Sequence, residues 1–351
     1  MIINDFETFQ QARGQDWSHI TRSRRHADQV LQLLGDALKS YQNFDISCVF
    51  FGSLARREWT NGSDVDWTLL VDGQADAAHY KTAQAVARSI AKVEFMGQPL
   101  QEPGASGLFG NLTFSHQLVH KLGGEEDTNL NTTRRILLLL ESVGLQSTAH
   151  ARTVRALLDR YLKDDFRFDD EMKGRGRVPR FLLNDIFRFW RTLCVDYGMK
   201  RWVQSEKWAL RNVKLRMSRK WLIVSGILTM FACECGDDEV ESTERTKDAT
   251  LSVLAEYAAL TPADIIAREL TRIGMQDQAA SLFDIYDHYL SKLDNPELRE
   301  DLRKLTTAAA RRDRHFKEFK ELGREFQDVL KQVFFEQDEA LSKFTKEYGV
   351  F

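Results

Sequence analysis

Residues 49–71 read VFFGSLARREWTNGSDVDWTLLV, in which two apolar runs flank a Gly-Ser turn and a pair of aspartates. Side chains two residues apart in a strand point to the same face of the sheet. Asp64 and Asp66 are therefore expected side by side, with Val65 and Trp67 on the opposite, packed face. Two carboxylates this close repel each other unless a cation lies between them, and Mg²⁺ prefers such oxygen ligands. The spacing predicts a metal site at Asp64 and Asp66.

The Gly52-Ser53 turn lies between the first apolar run and the aspartates. Glycine lets the backbone approach a ligand closely, and turn N–H groups together with the Ser53 hydroxyl can bind phosphate. Arg56 follows shortly after the turn, near enough to meet the same phosphate. One end of the motif would bind triphosphate oxygens and the other end the metal that bridges them. Phosphoryl and nucleotidyl transfer require this arrangement.

The pattern Gly52-Ser53 followed by Asp64-Val65-Asp66 resembles the signature of the DNA polymerase β-like nucleotidyltransferase superfamily. That signature is an apolar residue, Gly, Gly or Ser, a short gap, and two acids flanking an apolar residue. The resemblance covers about a quarter of the chain, from Phe44 to Gly123. It implies that the paired acids bind two Mg²⁺ ions and that the Gly-Ser turn binds a nucleoside triphosphate such as ATP.

The chain departs from the family at the predicted strand Asn111–Ser115. Many members carry a third metal-binding carboxylate on a strand in this place, whereas this strand offers hydroxyl groups, with His116 just after it. Three interpretations stay open: a nearby acid completes the site, two carboxylates suffice, or catalysis is impaired. The nearest acids are Glu94, Glu102, Glu125, Glu126 and Asp127.

The chain of 351 residues is long enough for about two domains. We expect an α+β protein with a lead-in over residues 1–16 and a polymerase-β-like nucleotidyltransferase domain with a mixed sheet over 17–125. An all-helical domain is expected over 126–351, with a sub-boundary near 237–247.

Hydrophobic periodicity predicts the elements around the motif. Helices are expected over 17–41 and 75–96, and strands over 46–51, 64–71 and 111–115. An Asn61-Gly62-Ser63 turn would lead the chain into the second strand. Later in the chain, Thr261-Pro262 and Asn295-Pro296 are typical helix starts.

A basic helix is predicted over residues 207–220. Lys207, Arg211, Lys214 and Ser218 follow at steps of four, three and four, which places them on one helical face. Like charges on one face repel, so a negative partner is expected opposite them: a triphosphate, an RNA backbone or carboxylates of the same protein. In related nucleotidyltransferases a helical domain closes over the nucleotide. By this resemblance Lys207, Arg211 and Lys214 are predicted to contact phosphate.

Arg134 and Arg135 are predicted in the first turn of a helix that Asn131 or Thr132 would cap. The helix dipole disfavours positive charge in that turn. Exposure at the surface or contact with an anion would each account for the placement.

Composition limits the alternatives. Hydrophobic content of 43% and charged content of 29% are typical of a globular protein, and a net charge of −3 argues against a uniformly basic nucleic-acid binder. The four cysteines show no metal-site spacing beyond Cys233-x-Cys235. The sequence shows no secretory signal, and its apolar run over 221–233 is short for a bilayer span. We therefore expect a cytoplasmic protein with no membrane partner and leave its oligomeric state open.

Three functions compete. The first is an Mg²⁺-dependent enzyme that transfers a nucleoside monophosphate to an RNA end, a protein hydroxyl or a small molecule and releases pyrophosphate. The second is an enzyme of the same superfamily that makes cyclic nucleotides or oligonucleotides. The third is a non-catalytic nucleotide or RNA sensor on the same scaffold, which the missing third carboxylate favours.

Overall fold

A computed structural model describes residues 5–104, 107–145, 148–163, 165, 178–203, 207–234 and 247–349, with backbone alone for 201–203. Over these residues the protein is α+β and mostly helical, as predicted, with one four-stranded mixed sheet and a separate two-stranded ribbon. The strands are β1 (Ile46–Phe51), β2 (Trp67–Val71), β3 (Glu94–Phe95), β4 (Gln98–Pro99), β5 (Asn111–Phe114) and β6 (Ser142–Gly144).

The helices account for most of the described chain. They are α1 (Asp5–Arg13), α2 (Ser18–Leu38), α3 (Gly52–Ala55), α4 (Ala78–Ile90), α5 (Ser115–His120), α6 (Asn129–Leu140), α7 (Thr148–Lys163), α8 (Arg180–Val203), α9 (Trp208–Lys214), α10 (Lys220–Glu234), α11 (Lys247–Tyr257), α12 (Pro262–Arg272), α13 (Gln276–Leu293), α14 (Pro296–Lys304), α15 (Thr307–Ala310), α16 (Arg314–Lys331) and α17 (Glu339–Tyr348). A 3-10 turn over Lys39–Tyr41 follows α2, and π-helical turns over Leu215–Arg219 and Gln332–Glu336 follow α9 and α16.

The chain forms two compact units. The sheet unit consists of Arg22–Arg177 and Ser242–Thr261, and the helical unit consists of Met1–Thr21, Val178–Glu241 and Pro262–Phe351. Helices α6 and α7 and strand β6 thus belong to the unit that contains the motif, although they follow residue 125. The sub-boundary expected near 237–247 falls mainly on residues 235–246, which lie outside the described residues.

The four-stranded sheet has the order β5-β2-β1-β6. Strand β1 pairs antiparallel with both β2 and β6, whereas β2 and β5 are parallel. All six residues of β1 are buried, which explains why its apolar run continues without alternation. The predicted strand over 46–51 is confirmed with the same bounds.

One face of this sheet carries the main core of the sheet unit. Cys48, Phe50, Trp67 and Leu69 point to this face and are fully or almost fully buried. Apolar side chains of α2 and α4 complete the layer, and they are Ala27, Val30, Leu34, Ala83, Val86 and Ile90. Asp64, Asp66 and the residues that follow them at alternate positions therefore lie on the opposite face of the sheet.

The prediction of one long helix over 75–96 is wrong at its end. Helix α4 ends at Ile90, and the chain then forms the β3–β4 ribbon around Met96 and Gly97. Both residues have positive φ, at 53° and 74°, which is turn geometry rather than a helix stop. The hydrophobic pattern did not predict β6. Its three residues follow the leucine-rich helix α6 directly, so they could not be separated from the helical pattern.

The helical unit is built around α10, whose residues are buried almost all round. Trp221 stacks on Tyr286 of α13 with ring centroids 4.4 Å apart. Helices α12 and α14 begin at Pro262 and Pro296 as predicted, and the Asn295 side chain accepts a hydrogen bond from the Leu298 N–H. None of the helices in the described ranges is both long and apolar enough to cross a membrane.

Candidate metal and nucleotide site

Gly52 and Asp66 lie in direct contact at the start of the motif. Gly52 is buried and has φ +67°, and a Cβ added to it would lie 2.7 Å from Asp66 Oδ2. A side chain at position 52 would therefore displace the Asp66 carboxylate, and the positive φ would strain it as well. The positive φ and the contact with Asp66 together favour glycine at position 52, and the close approach places the Gly-Ser turn against the Asp66 carboxylate.

The Asp64–Asp66 segment is fixed by backbone hydrogen bonds on both sides. The Phe51 N–H donates to the Asp66 carbonyl at 2.9 Å, and the Val65 N–H donates to the Gln101 carbonyl at 2.9 Å. Regular strand geometry begins only at Trp67, so the predicted strand over 64–71 starts three residues later than expected. Its burial still alternates: Asp64 and Asp66 are half-buried, whereas Val65 and Trp67 are buried.

The turn before the aspartates is closed by its own side chains. Ser63 Oγ accepts a hydrogen bond from the Thr60 N–H at 3.1 Å, and the Ser63 N–H donates to the Thr60 carbonyl at 3.0 Å. Gly62 has φ +75°, which agrees with the Asn-Gly turn expected from the sequence. Ser53, at the other end of the segment, is half-buried, and its carbonyl accepts the Glu58 N–H at 2.7 Å.

The Arg56 guanidinium is buried and contacts carboxylates of the protein instead of facing solvent. It is 5% exposed, its Nε donates to Glu58 at 2.8 Å, and its Nη1 contacts Glu141. Glu141 is also buried and lies between α6 and β6. The pairing joins the end of the Gly-Ser turn to the edge of the sheet, which is a structural role. Phosphate contact by Arg56 stays a prediction.

Beyond Asp66, the same face of the sheet carries neutral polar groups. Thr68 Oγ1 lies 2.8 Å from Thr113 Oγ1 on β5 and donates to the Asn111 carbonyl at 2.7 Å. Both threonines are buried. Strand β5 thus presents Asn111 and Thr113 and no carboxylate on this face, and both residues are hydrogen-bonded to Thr68.

The acids that were considered for a third ligand have other environments. Asp127 is buried and accepts two hydrogen bonds from Arg135, each 2.8 Å long. Glu126 lies 3.0 Å from Lys121, and Glu94, Glu102 and Glu125 are exposed. Across the described ranges, no three His, Cys, Asp or Glu side chains are grouped so that they could hold a metal ion. Cys235 of the Cys-x-Cys pair lies outside the described residues.

Helix α6 begins earlier than the sequence predicted. Thr128, not Asn131 or Thr132, is its cap, and the Thr128 hydroxyl accepts the Asn131 N–H at 3.2 Å. Arg134 and Arg135 consequently lie past the first turn, and the dipole argument for an anion does not apply. Arg135 is fully buried and bound by Asp127, so it is a structural residue.

Arg134 differs from its neighbour. Its Nη2 donates to Asn111 Oδ1 over 3.4 Å, and its buried Nε has no hydrogen-bond partner among the residues that the structure describes. Burial lowers the pKa of its guanidinium below the ordinary value. Together with Phe51, Thr68 and Thr113 it lines a small apolar cavity of about 10 Å³. This cavity is too small for a nucleoside, so any nucleotide must bind outside it.

The basic residues Lys207, Arg211 and Lys214 belong to the helical unit, whereas Gly52, Ser53, Asp64 and Asp66 belong to the sheet unit. The helical face predicted for the basic set is interrupted. Lys207 precedes α9 with φ +61°, and a π-helical turn follows Lys214. Ser218 is buried, whereas Lys207 is exposed and Arg211 and Lys214 are half-buried. Their contact with a nucleotide stays a prediction.

Comparison with known proteins adds no relative. No protein-family model matches the chain, and no curated protein matches its sequence.

The donor set at Asp64 and Asp66 fits a hard divalent cation. Mg²⁺ is commonly held by one or two carboxylates, with water and substrate phosphates completing its coordination. Asp64 and Asp66 supply two half-buried carboxylates, and the Asp66 carboxylate lies against a glycine that admits close approach. This donor set has the chemistry that a Mg²⁺ ion bound to a triphosphate would require.

Proposed function

We propose that this protein is an Mg²⁺-dependent nucleotidyltransferase of the polymerase-β-like kind. The observation that carries the proposal is the contact between Gly52 and Asp66, in which the turn approaches so closely that a Cβ would lie 2.7 Å from the carboxylate. A glycine that is required only to pack a carboxylate against a turn is explained most simply if both groups bind one ligand. The resemblance of the motif supports the same conclusion.

In this proposal the aspartates bind the metal and the Gly-Ser turn binds the phosphates. Asp64 and Asp66 would hold Mg²⁺, which when bound neutralises triphosphate charge and acidifies an acceptor hydroxyl. Gly52 and Ser53 would orient the phosphates beside the carboxylates. The hydrogen bonds from Phe51 and to Gln101 fix the backbone of the aspartates, so little reorganisation is needed when substrate binds. Rate enhancement would come from positioning and charge rather than from covalent chemistry.

The test uses the purified full chain with Mg²⁺ and each labelled nucleoside triphosphate, with and without total RNA and cell extract. Pyrophosphate release and transfer of label are measured for the protein and for the Asp64→Asn/Asp66→Asn variant. The matched control is Asp36→Asn, which removes an exposed carboxylate of helix α2. Release that disappears only in the double variant would support the proposal, and the labelled species would identify the acceptor.

A nucleotide or RNA sensor is the second candidate. It is favoured by the polar groups of β5, because Asn111 and Thr113 stand where an active site would be expected to carry a third carboxylate. The same experiment separates the two functions. Nucleotide binding that requires Asp64 and Asp66 but yields no pyrophosphate with any acceptor would support the sensor and contradict the transferase. A cyclic or oligomeric nucleotide product would instead identify the nucleotide-synthesising branch.

A further inference from the structure

Two histidines lie one helical turn apart on α5, the short helix that follows β5. His116 and His120 are both exposed, and their ring centroids are 4.7 Å apart with an angle of 40° between the ring planes. Residues four apart on a helix are neighbours on one face, and two histidines at this spacing bind Zn²⁺ in metalloprotease helices. The pair has no role in the transfer reaction proposed above.

The separation of the two rings is the one that a shared metal ion requires. Bonds of about 2.1 Å to one ion in octahedral or tetrahedral geometry put two imidazole ring centres roughly 4.5–5.2 Å apart. The observed 4.7 Å lies in this range. Within the described part of the chain neither ring forms a hydrogen bond or an ion pair, so a metal ion would displace no such partner.

The helix that carries the pair is anchored on its other side. Leu118 is 2% exposed, and each histidine lies two positions from it, about 200° around the helix axis. At the start of α5, Ser115 Oγ donates to Asp72 Oδ1 at 2.6 Å, and Arg152 Nε donates to Asp72 Oδ2 at 2.8 Å. Packing and hydrogen bonding therefore hold α5 so that both imidazoles face outward.

The cation next to the pair in the sequence has a counter-charge. Lys121 follows His120 directly, and its Nζ lies 3.0 Å from a carboxylate oxygen of Glu126. An unpaired ammonium group beside the rings would repel a divalent ion, and this ion pair reduces that repulsion.

The histidines are separate from the aspartate pair. Strands β2 and β5 are parallel; Asp66 immediately precedes β2, whereas α5 immediately follows β5. The aspartates and the histidines therefore lie at opposite ends of these two strands. His116 is consequently not a substitute for the third carboxylate that the resemblance led us to seek.

The chemistry of the ligands selects the ion. Neutral imidazole nitrogen suits Zn²⁺, Cu²⁺ and Ni²⁺, whereas Mg²⁺ prefers oxygen ligands. We propose that His116 and His120 form a binding site for one divalent transition-metal ion, of the Zn²⁺ or Cu²⁺ class, whose remaining coordination positions are filled by water. The two rings would join successive turns of α5 through the metal.

The experiment measures metal binding and does not depend on enzymatic activity. The full chain is titrated with Zn²⁺ in the presence of excess Mg²⁺, and Cu²⁺ binding is followed by electron paramagnetic resonance. We expect a Cu²⁺ spectrum with hyperfine coupling to two imidazole nitrogens. At a free Zn²⁺ concentration of 100 times Kd, α5 amides that exchange through opening of the helix should be protected about 100-fold.

A matched variant tests the spacing itself. Gln117→His/His120→Gln keeps the number of histidines but places them next to each other in the chain, where they no longer share a helical face. This variant and His116→Gln should each weaken Zn²⁺ binding at the α5 site at least tenfold, because one ligand of the chelate is lost. His288→Gln removes an exposed histidine of α13 and should leave the affinity unchanged. Hydrogen exchange of β1 verifies that each variant is folded.

Several results would overturn the site. They are the absence of two-nitrogen coupling in the Cu²⁺ spectrum, a Zn²⁺ affinity that His116→Gln leaves unchanged, and equal affinity in the variant with adjacent histidines. Zn²⁺ binding without protection of α5 would likewise place the ion elsewhere. None of these results bears on nucleotidyl transfer, which depends on Asp64 and Asp66.

Discussion

Gly52 and Asp66 are in close contact: the Asp66 carboxylate oxygen lies 2.7 Å from where a Cβ on residue 52 would be. Strand β1 ends at Phe51, immediately before this glycine, and the aspartate leads into β2, its antiparallel neighbour. The motif is therefore one spatial unit, although its two halves are separated in the sequence.

Gly52→Ala should disturb both stability and metal binding. The positive φ strains any L side chain, at a cost of about 1–3 kcal/mol, and the new methyl group must displace Asp66. Hydrogen exchange of β1 would measure the loss of stability, and Mn²⁺ titration the loss of binding. Gly97→Ala is the control, because Gly97 has φ +74° with no atom within 4 Å. If both variants lose metal affinity equally, the contact with Asp66 has no functional role.

Arg56→Met should destabilise the sheet unit strongly. It would remove the guanidinium that contacts the buried carboxylates of Glu58 and Glu141, which are 8% and 0% exposed. Breaking such a group typically costs about 3–5 kcal/mol. Denaturant unfolding and hydrogen exchange of β6 would measure the effect.

The control for Arg56 is Arg57→Met. Arg57 pairs with Asp28 at 3.1 Å, and that pair is partly exposed, so its loss should cost no more than about 1 kcal/mol. Equal stability of the two variants would show that the buried cluster around Arg56 contributes no more than a surface pair. Retained nucleotide binding in a folded Arg56 variant would show that its role is structural.

Protonation of His150 should lower the free energy of unfolding of the sheet unit in mild acid. Burial lowers the pKa of His150 to about 4, and its Nε2 lies 2.7 Å from Ser142 Oγ on β6. In the unfolded chain the group titrates near its ordinary value of about 6.5. The unfolded state therefore binds a proton first, so this stability is complete above pH 6.5 and is lost as the pH falls towards 4.

The size of the His150 effect is about 3 kcal/mol over that window, at about 1.4 kcal/mol for each unit of pKa. Hydrogen exchange of β1 and β6 at pH values from 7 to 4.5 measures it. His150→Gln should flatten the pH dependence, whereas the exposed His116→Gln should preserve it. A slope that survives in His150→Gln would assign the acid sensitivity to other groups.

Cys48 should report opening of the sheet. Burial raises the pKa of this thiol on β1 to about 12, so both the missing thiolate and the lack of access protect it from alkylation. Cys194 is only half-buried and should react with iodoacetamide much sooner. Mass spectrometry of labelled peptides in native buffer and in increasing urea tests this order. Early labelling of Cys48 in native buffer would contradict the buried position of β1.

Local patterns in the sequence predicted β1 and several helix starts correctly, whereas the predicted strand over 64–71 begins only at Trp67. The apolar run over 46–51 predicted β1 with its observed bounds, and Pro262 and Pro296 marked the starts of α12 and α14. These signals succeed because they depend on neighbours in the chain: continuous burial, fixed proline φ and capping. The predicted end of α4 was wrong because the two-residue turn at Met96 and Gly97, which forms the β3–β4 ribbon, outweighed helical propensity.

The sequence by itself determined the alternation of Asp64, Val65, Asp66 and Trp67, which follows from the two-residue period of extended chain. The close approach of Gly52 to Asp66 was decided by the tertiary structure. Tertiary structure decided which cations pair within the protein. Arg56 and Arg135 contact Glu141 and Asp127, partners 85 and 8 residues away, whereas Arg134 donates to Asn111 of β5. Arg134 and Arg135 are adjacent and have the same local propensities, so only the packing of α6 decides that one forms a buried ion pair and the other a hydrogen bond to β5.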